Sequence, residues 1–292
     1  MRKKMLSFQY YLVLLIAGVF AVLFVYPILV TITNSFMTGF EIHNRYVRDV
    51  LPANTFYTLD VFPQVHFVRM TVIPSWLSIR QYLTLFTDVA YMNSLWNSVL
   101  ITVPAVVGQL VIGVPAAFVF EFCNWRHKEK LFFVYIVVML MPLPVVLVPQ
   151  FVMVGFIGIQ ESVLAVILPA VFSPFAVFLL RQFLKAMPME YIEAAKIDGA
   201  GHIITLAAIV TPLLKPAIGA AGILIFIDYW NVVEQAIVFI PEPERLPLSV
   251  ALTALSPEII FAASCFYMLP ALLVFLYGQE FLVEGIQLAG IK

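Results

Sequence analysis

Long runs of apolar residues, nearly free of charge, alternate with short polar breaks along most of the chain. Six such runs reach membrane length, at about 10–33, 94–120, 131–155, 162–184, 205–231 and 259–283. About 20 apolar residues suffice for a helix to cross the hydrocarbon core. Lipid offers no partner for an exposed backbone amide or carbonyl, so each run is expected to be helical. The pattern predicts an all-α membrane protein with six transmembrane helices in a single domain, 1–292. Two polar intervals stand out. A loop at 38–93 is long, and its end, SWLSIRQYLTLFTD (75–88), carries Trp76, Ile79, Tyr82, Leu83 and Phe86 at a spacing that fits an amphipathic surface helix. The other, at 186–204, holds a short charged helix, EYIEAAKIDGA (190–200).

Composition agrees with the pattern. The chain is 63% hydrophobic and 11% charged, against about 25% charged in a soluble domain, and its mean hydropathy is +1.01. A net charge of −1 argues against nucleic acid as the main partner. Cys123 and Cys265 read as inert buried thiols. MRKK followed by an apolar run longer than a signal-peptide core, with no small-residue cleavage site, reads as an uncleaved first span. Prolines are frequent within the spans, at 104, 115, 142, 144, 149, 212, 216 and 270, and predict either bends or irregular packing.

Lys and Arg set the orientation. With the N-terminus in the cytoplasm, eleven fall inside: Arg2, Lys3, Lys4, Arg126, Lys128, Lys130, Arg181, Lys185, Lys196, Lys215 and Lys292. Five fall outside: Arg45, Arg48, Arg69, Arg80 and Arg245. The expected topology is N-in/C-in, with 38–93 external and 186–204 cytoplasmic.

The cytoplasmic stretch has helix punctuation at both ends. Pro188 suits a first turn, Glu190 and Glu193 suit the positive end of the dipole, and Gly199 can take the left-handed stop. A second helix is expected to start near Gly201–His202 and merge with span five. Ala194, Ala195 and Ala200 are small enough for a partner to approach closely, so the element reads as a docking surface.

The spacing is Glu193-Ala194-Ala195, three residues, Gly199, nine residues, Ile209, one residue, Thr211-Pro212. This resembles the EAA motif of ABC importer permeases (EAA, three residues, G, nine residues, I-x-L-P), with Thr211 in the place of Leu. Further stretches are similar to the carbohydrate-uptake, maltose-type branch and to its smaller permease. They are NSLWNSVLITV (93–103), MPLPVVLVPQF (141–151), FAVFLLRQFLKAMPMEYIEAAKIDGA (175–200), FIDYWN (226–231) and EFLVEGIQLAGIK (280–292). Glu280 and Glu284 depart from the basic residues common in that tail, and 38–75 has no counterpart.

The resemblance implies a permease subunit of a binding-protein-dependent importer in a bacterial plasma (inner) membrane, carrying a carbohydrate, most simply an oligosaccharide. It implies four kinds of partner: a second permease, two ATP-binding subunits, an extracytoplasmic solute-binding protein and lipid. The loop would be the coupling helix seated in the ATPase, with Glu193 in polar contacts, Ala194, Ala195 and Ala200 in close packing, Gly199 at the bend, and Asp198 either capping or in contact. ATP and Mg would be used by the partner, with no cofactor in this chain and no enzymatic activity of its own. Consistent with that division, the chain has no G-x-x-x-x-G-K-[ST], H-E-x-x-H or G-x-S-x-G sequence. No nucleophile is matched with a base in the spans, which argues against an intramembrane enzyme. His43, His66, His127 and His202 all fall outside them.

Asp228 interrupts span five, where a carboxyl needs a cavity or a partner. With Tyr229, Trp230 and Asn231 it reads either as lining of a translocation path or as a helix-packing contact. The segment 233–258, with IPEPERLP, reads either as a stiff connection or as a contact with a binding protein, and Arg45, Arg48 and Arg69 as its acidic-patch partners or as a solvated face. Two other functions share some of these features: import of glycerol phosphate or a polyol, and an ion-coupled secondary carrier. Of these, a phosphate substrate calls for cations in the spans, which are not seen, and the carrier for paired broken helices with midplane charges.

Overall fold

The computed structural model describes residues 2–47 and 72–290. Arg48, His66 and Arg69, with the rest of 48–71, and the terminal Ile291 and Lys292 lie outside the described residues. Every named element is helical: α1 Arg2–Asn34, α2 Gly39–Ile42, α3 Arg80–Thr87, α4 Val89–Phe122, α5 Lys128–Met139, α6 Leu143–Ile157, α7 Leu164–Val171, α8 Pro174–Ala186, α9 Glu190–Ile197, α10 His202–Ile204, α11 Thr211–Leu213, α12 Lys215–Trp230, α13 Glu234–Phe239, α14 Leu248–Ala251 and α15 Ile260–Gly290. A π-helical turn, Thr205–Val210, joins α10 to α11.

Four helical segments are long and apolar enough to cross a membrane: Tyr10–Asn34, Val89–Phe122, Leu164–Ala186 and Ile260–Gly285. Six result if each of two bent pairs counts as one span. Those pairs are α5 with α6, bent by 106°, and His202–Leu213 with α12, bent by 76°. Proline content alone does not place the bends, because Pro27, Pro104, Pro115 and Pro270 lie within continuous helix. Bends occur where prolines act in pairs. In Met141-Pro142-Leu143-Pro144, Pro142 has no N–H to continue α5; it is extended, at ψ 139°, and caps α6, whose first turn takes Pro144 without loss. Pro212 and Pro216 are four apart, so Pro216 has no N–H for the Pro212 carbonyl and its ring crowds that group.

The chain divides into two compact units. The first holds Met1–Val89 and Ala254–Met268. Its centre is the buried Gln81 amide, which donates to Asn34 O (2.7 Å) and Met37 O (2.8 Å) and accepts from the Ala262 N–H (3.3 Å). The Tyr82 hydroxyl donates to Ser35 Oγ at 2.7 Å. The expected helix over 75–88 therefore forms only as α3. Its inward face is Gln81 and Leu85, while Trp76, Ile79, Leu83 and Phe86 are exposed. The thiol of Cys265 donates to Thr31 O at 3.5 Å, and both cysteines are free and half-buried.

Glu41 holds the chain at Ser75, just after the described residues resume. It accepts from the Ser75 N–H (2.8 Å) and pairs with Arg45 (2.6 Å). Arg45 is thus engaged within the chain. Burial by itself raises the Glu41 carboxyl, but the Ser75 N–H, the Ser75 hydroxyl and the Arg45 guanidinium together hold it below its ordinary 4.5. A carboxyl depressed by folding adds stability that is complete above the unfolded value and lost as pH falls through the folded one. Glu41→Gln is expected to melt earlier than the parent at pH 7 and to lose less on acidification below pH 4.5. Melting in detergent across that range checks this, and parallel curves for the two proteins would refute it.

The second unit holds Ala90–Thr253 and Leu269–Lys292. Small residues let its helices approach closely. A Cβ on Gly113 would lie 2.9 Å from that of Ala176, and one on Gly219 would lie 2.7 Å from the Phe281 ring. The segment 233–253 is folded back within this unit. Phe239, Ile240 and Leu248 are buried, the Leu248 N–H donates to Ser98 Oγ (2.7 Å), and Asn97 Nδ2 donates to Glu244 O (2.9 Å). Arg245 pairs with Glu242 and donates to Glu161 O.

Candidate functional site: the 190–204 loop and the Asp228 cavity

Helix α9 starts later than Pro188 suggested. Pro188 precedes the helix, Met189 is its N-cap, and the Met189 carbonyl accepts from both Ile192 (3.0 Å) and Glu193 (3.1 Å). Glu190 and Glu193 sit in the first turn and Lys196 in the last, each at the end of the dipole that favours it. The C-terminus is a Schellman motif. Gly199 has φ +77°, its N–H donates to Lys196 O (3.1 Å), and the Ala200 N–H donates to Ala195 O (2.9 Å). The next helix begins at His202, as the sequence suggested. The π-helical turn that follows ends on Thr211, whose hydroxyl donates to Leu206 O at 2.8 Å. A leucine at that position has no such donor.

The two faces of α9 differ. Ile192 and Ala195 are buried against their own chain, Ala195 being only 3% exposed. Glu193, Ala194, Asp198 and Gly199 face outward, and Ala200 is half-buried. Of the three alanines expected to pack a partner, Ala194 is the one fully presented, and Ala195 packs inward. The outer surface also carries apolar residues outside the motif: Ile197 is 87% and Ile203 83% exposed, with Tyr191 and Ile204 beside them in sequence. The alternation of polar and apolar residues through 189–204 was the available signal for them.

A charged cluster ties together the helix ends nearby. Arg181 is only 2% exposed. Its Nε donates to Glu121 Oε2 (3.0 Å), its Nη2 donates to Glu129 Oε1 (2.6 Å), and its Cζ stands 3.9 Å from the centre of the Phe132 ring. Lys128 Nζ donates to Glu121 O at 3.1 Å. The last turn of α4, the first of α5 and the second half of α8 are joined here. The sequence signal was Glu121, an acid closing an apolar run.

A cavity of about 1060 Å³ opens among α5, α6, α7, α8, α12 and α13. Asp228, Tyr229 and Asn231 line it, with Asp228 and Asn231 exposed to it. Asn231 Nδ2 donates back to Ile227 O at 2.7 Å. Trp230 does not line it; it is buried and stacks on Phe226, with ring centres 5.5 Å apart. Gln150, Ser173, Glu234 and Gln235 add polar groups that the sequence reading missed. Gln150 was legible as the one polar side chain in LPVVLVPQFVMVGFI (143–157). Among the described residues, no group of three or more His, Cys, Asp or Glu is placed to hold a metal.

Comparison with known proteins places this architecture. Residues 109–285 match the model of the family described as "Binding-protein-dependent transport system inner membrane component". A putative ABC transporter permease protein, ORF2, of Caldicellulosiruptor sp. is 31% identical over 210 residues, 69% of this chain and 76% of that protein. The arabinooligosaccharides transport system permease protein AraQ of Bacillus subtilis is 26% identical over 232 residues, 77% and 83% of the two chains. A chain in the crystal structure of a bacterial ABC transporter involved in import of the acidic polysaccharide alginate superposes with a TM-score of 0.78 at 20% identity, covering 94% of this chain and 96% of that one. That likeness extends the shared fold to nearly the whole chain. The chain belongs to the family of binding-protein-dependent transport system inner membrane components.

Proposed function

We propose that the chain is one permease subunit of an importer for an oligosaccharide, with six spans, N-in/C-in, in a single permease domain. It provides half of the path and is driven by ATP hydrolysis in a partner subunit. The transport names of its relatives, AraQ, the lactose permease LacG and the melibiose/raffinose/stachyose permease MelC, support the substrate class. Its partners in this reading are a second permease, two ATP-binding subunits and a solute-binding protein outside.

One observation carries the coupling role. A short helix stands exposed between two spans, closed by a left-handed glycine and tipped with apolar side chains that its own chain does not cover. Glu193, Ala194, Asp198 and Gly199, with Ile197 and Ile203, form the face that would seat in the ATPase. Ala195 supports it from below and Ala200 closes the turn. When ATP brings the two ATPase subunits together, the docked helices move with them. The 202–213 segment and α12 then pass that movement to the cavity wall bearing Asp228, Tyr229 and Asn231, with Trp230 packed behind it. A loaded binding protein biases the cycle by preferring one of its states.

Purification of the tagged chain in gentle detergent, with partners quantified by mass spectrometry, tests the assembly. The expected result is an ATPase at two copies per chain with a second permease. A chain that purifies alone and shows proton- or sodium-dependent uptake would replace this reading with a secondary carrier. Glu193→Lys tests the docking face. Its first-turn position makes the folding cost only about 0.3–1 kcal/mol, so the variant is expected in the membrane at parental level but with uptake lost. Normal uptake by that variant would remove Glu193 from the interface.

A further inference from the structure

Resting on the reading of the cavity as this subunit's part of the path, we propose that its charge selects for uncharged or cationic sugars and against anionic ones. Asp228 and Glu234 are the specificity-determining residues. They are the carboxyl groups of the lining, and no Lys, Arg or His is among its described residues. Both are exposed, Asp228 in the last turn of α12 and Glu234 in the first turn of α13. The other polar lining groups, among them Gln150, Ser173, Asn231 and Gln235, are neutral. Amides and hydroxyls both donate and accept, which suits sugar hydroxyls.

An acidic sugar entering this space meets two carboxyls and no cation. A charge that leaves water without an opposite partner is strongly disfavoured. Helix N-termini can attract anions, and three begin at this cavity, but each is met from within the chain. Ser173 Oγ accepts from the Phe175 N–H at the start of α8. Glu234 occupies the first turn of α13. At the start of α6, Pro144 has no N–H and the Val145 N–H donates to Pro142 O at 3.0 Å. The alginate importer that shares the fold carries an acidic polysaccharide. The fold itself thus does not exclude an anion, but the lining here has the opposite sign to the one an anion needs.

The test reads the cavity's charge directly. In the assembled importer, with Cys123 and Cys265 changed to alanine, Ser173→Cys is labelled with a cationic trimethylammonium-ethyl and an anionic sulfonatoethyl methanethiosulfonate. Rates are normalised to those with a free thiol. The cation is expected to react about tenfold faster, a factor typical of charge focusing in a cleft. The preference is expected to fall to near unity in the Asp228→Asn, Glu234→Gln double variant. Equal rates in the parent, or a preference that survives the double variant, would overturn the proposal. A neutral oligosaccharide panel, including stachyose and arabinotetraose with the binding protein and ATP present, is expected to slow labelling. Labelling that no sugar slows, with the charge preference intact, would overturn the path reading, a failure separable from the first.

Discussion

Replacing Gly199 by proline is expected to abolish uptake while leaving the chain in the membrane. Gly199 sits at φ +77°, and a proline ring holds φ near −65°. The substitution also deletes the N–H that donates to Lys196 O at 3.1 Å and displaces the Ala200 N–H from Ala195 O. Helix α9 then has no stop at Asp198, and its outer face turns away from the direction set by the 202–213 segment. None of this touches the spans, so insertion proceeds. Gly199→Ala is the control. Nothing lies within 4 Å of an added Cβ there, so only backbone strain remains, about 1–2 kcal/mol. Uptake of a labelled oligosaccharide, normalised to membrane level, is expected to fall at least about tenfold for proline, the equivalent of 1.4 kcal/mol, and far less for alanine. Parental uptake by the proline variant would detach this loop from coupling.

Arg181→Met is expected to produce the largest loss of stability. The guanidinium is buried, and two carboxylates and the Phe132 ring surround it. Removing one partner of a buried pair costs about 3–5 kcal/mol, chiefly through the charge left behind. The two acids share that cost unequally. The Glu129 side chain is 68% exposed and returns to water, whereas that of Glu121, at 22%, stays half-buried. The lower end, about 3 kcal/mol, is therefore expected. Glu121→Gln added to Arg181→Met removes the stranded charge and is expected to recover part of the loss. Thermal melting of both variants in detergent checks this, and a midpoint unchanged by Arg181→Met would show that the cluster is ornamental to stability.

As an inner-membrane component of a binding-protein-dependent transport system, the chain has to combine rigid spans with moving parts. The two bent helix pairs border the cavity, and the second leads directly from the exposed loop to Asp228. Arg181 holds the ends of α4, α5 and α8 on the side from which that loop emerges. In the proposed function the loop stands on this base and acts through the bent helix.

Much of this was legible in the residue order. Apolar runs of membrane length forced helices, because lipid leaves no other way to satisfy the backbone. The spacing of Glu193, Gly199 and Pro212 marked the exposed loop and its helix stop, because such a stop needs a residue that tolerates positive φ. Asp228 marked the cavity, because a carboxyl in a span needs somewhere polar to point. The fold alone decided the rest. Prolines occur in nearly every span, but a helix bends only where paired prolines remove both donor and room, as at 142–144 and 212–216. Ala195 and Ala194 are adjacent and alike, yet one is buried and the other presented, because each step along a helix turns the side chain by about 100°. Arg181 finds Glu121 and Glu129, and Asp228 comes to share a cavity with Gln150 and Ser173, only through the packing of helices distant in sequence. Local order along the chain determined which segments are helices and where they can stop; tertiary packing determined which polar groups meet.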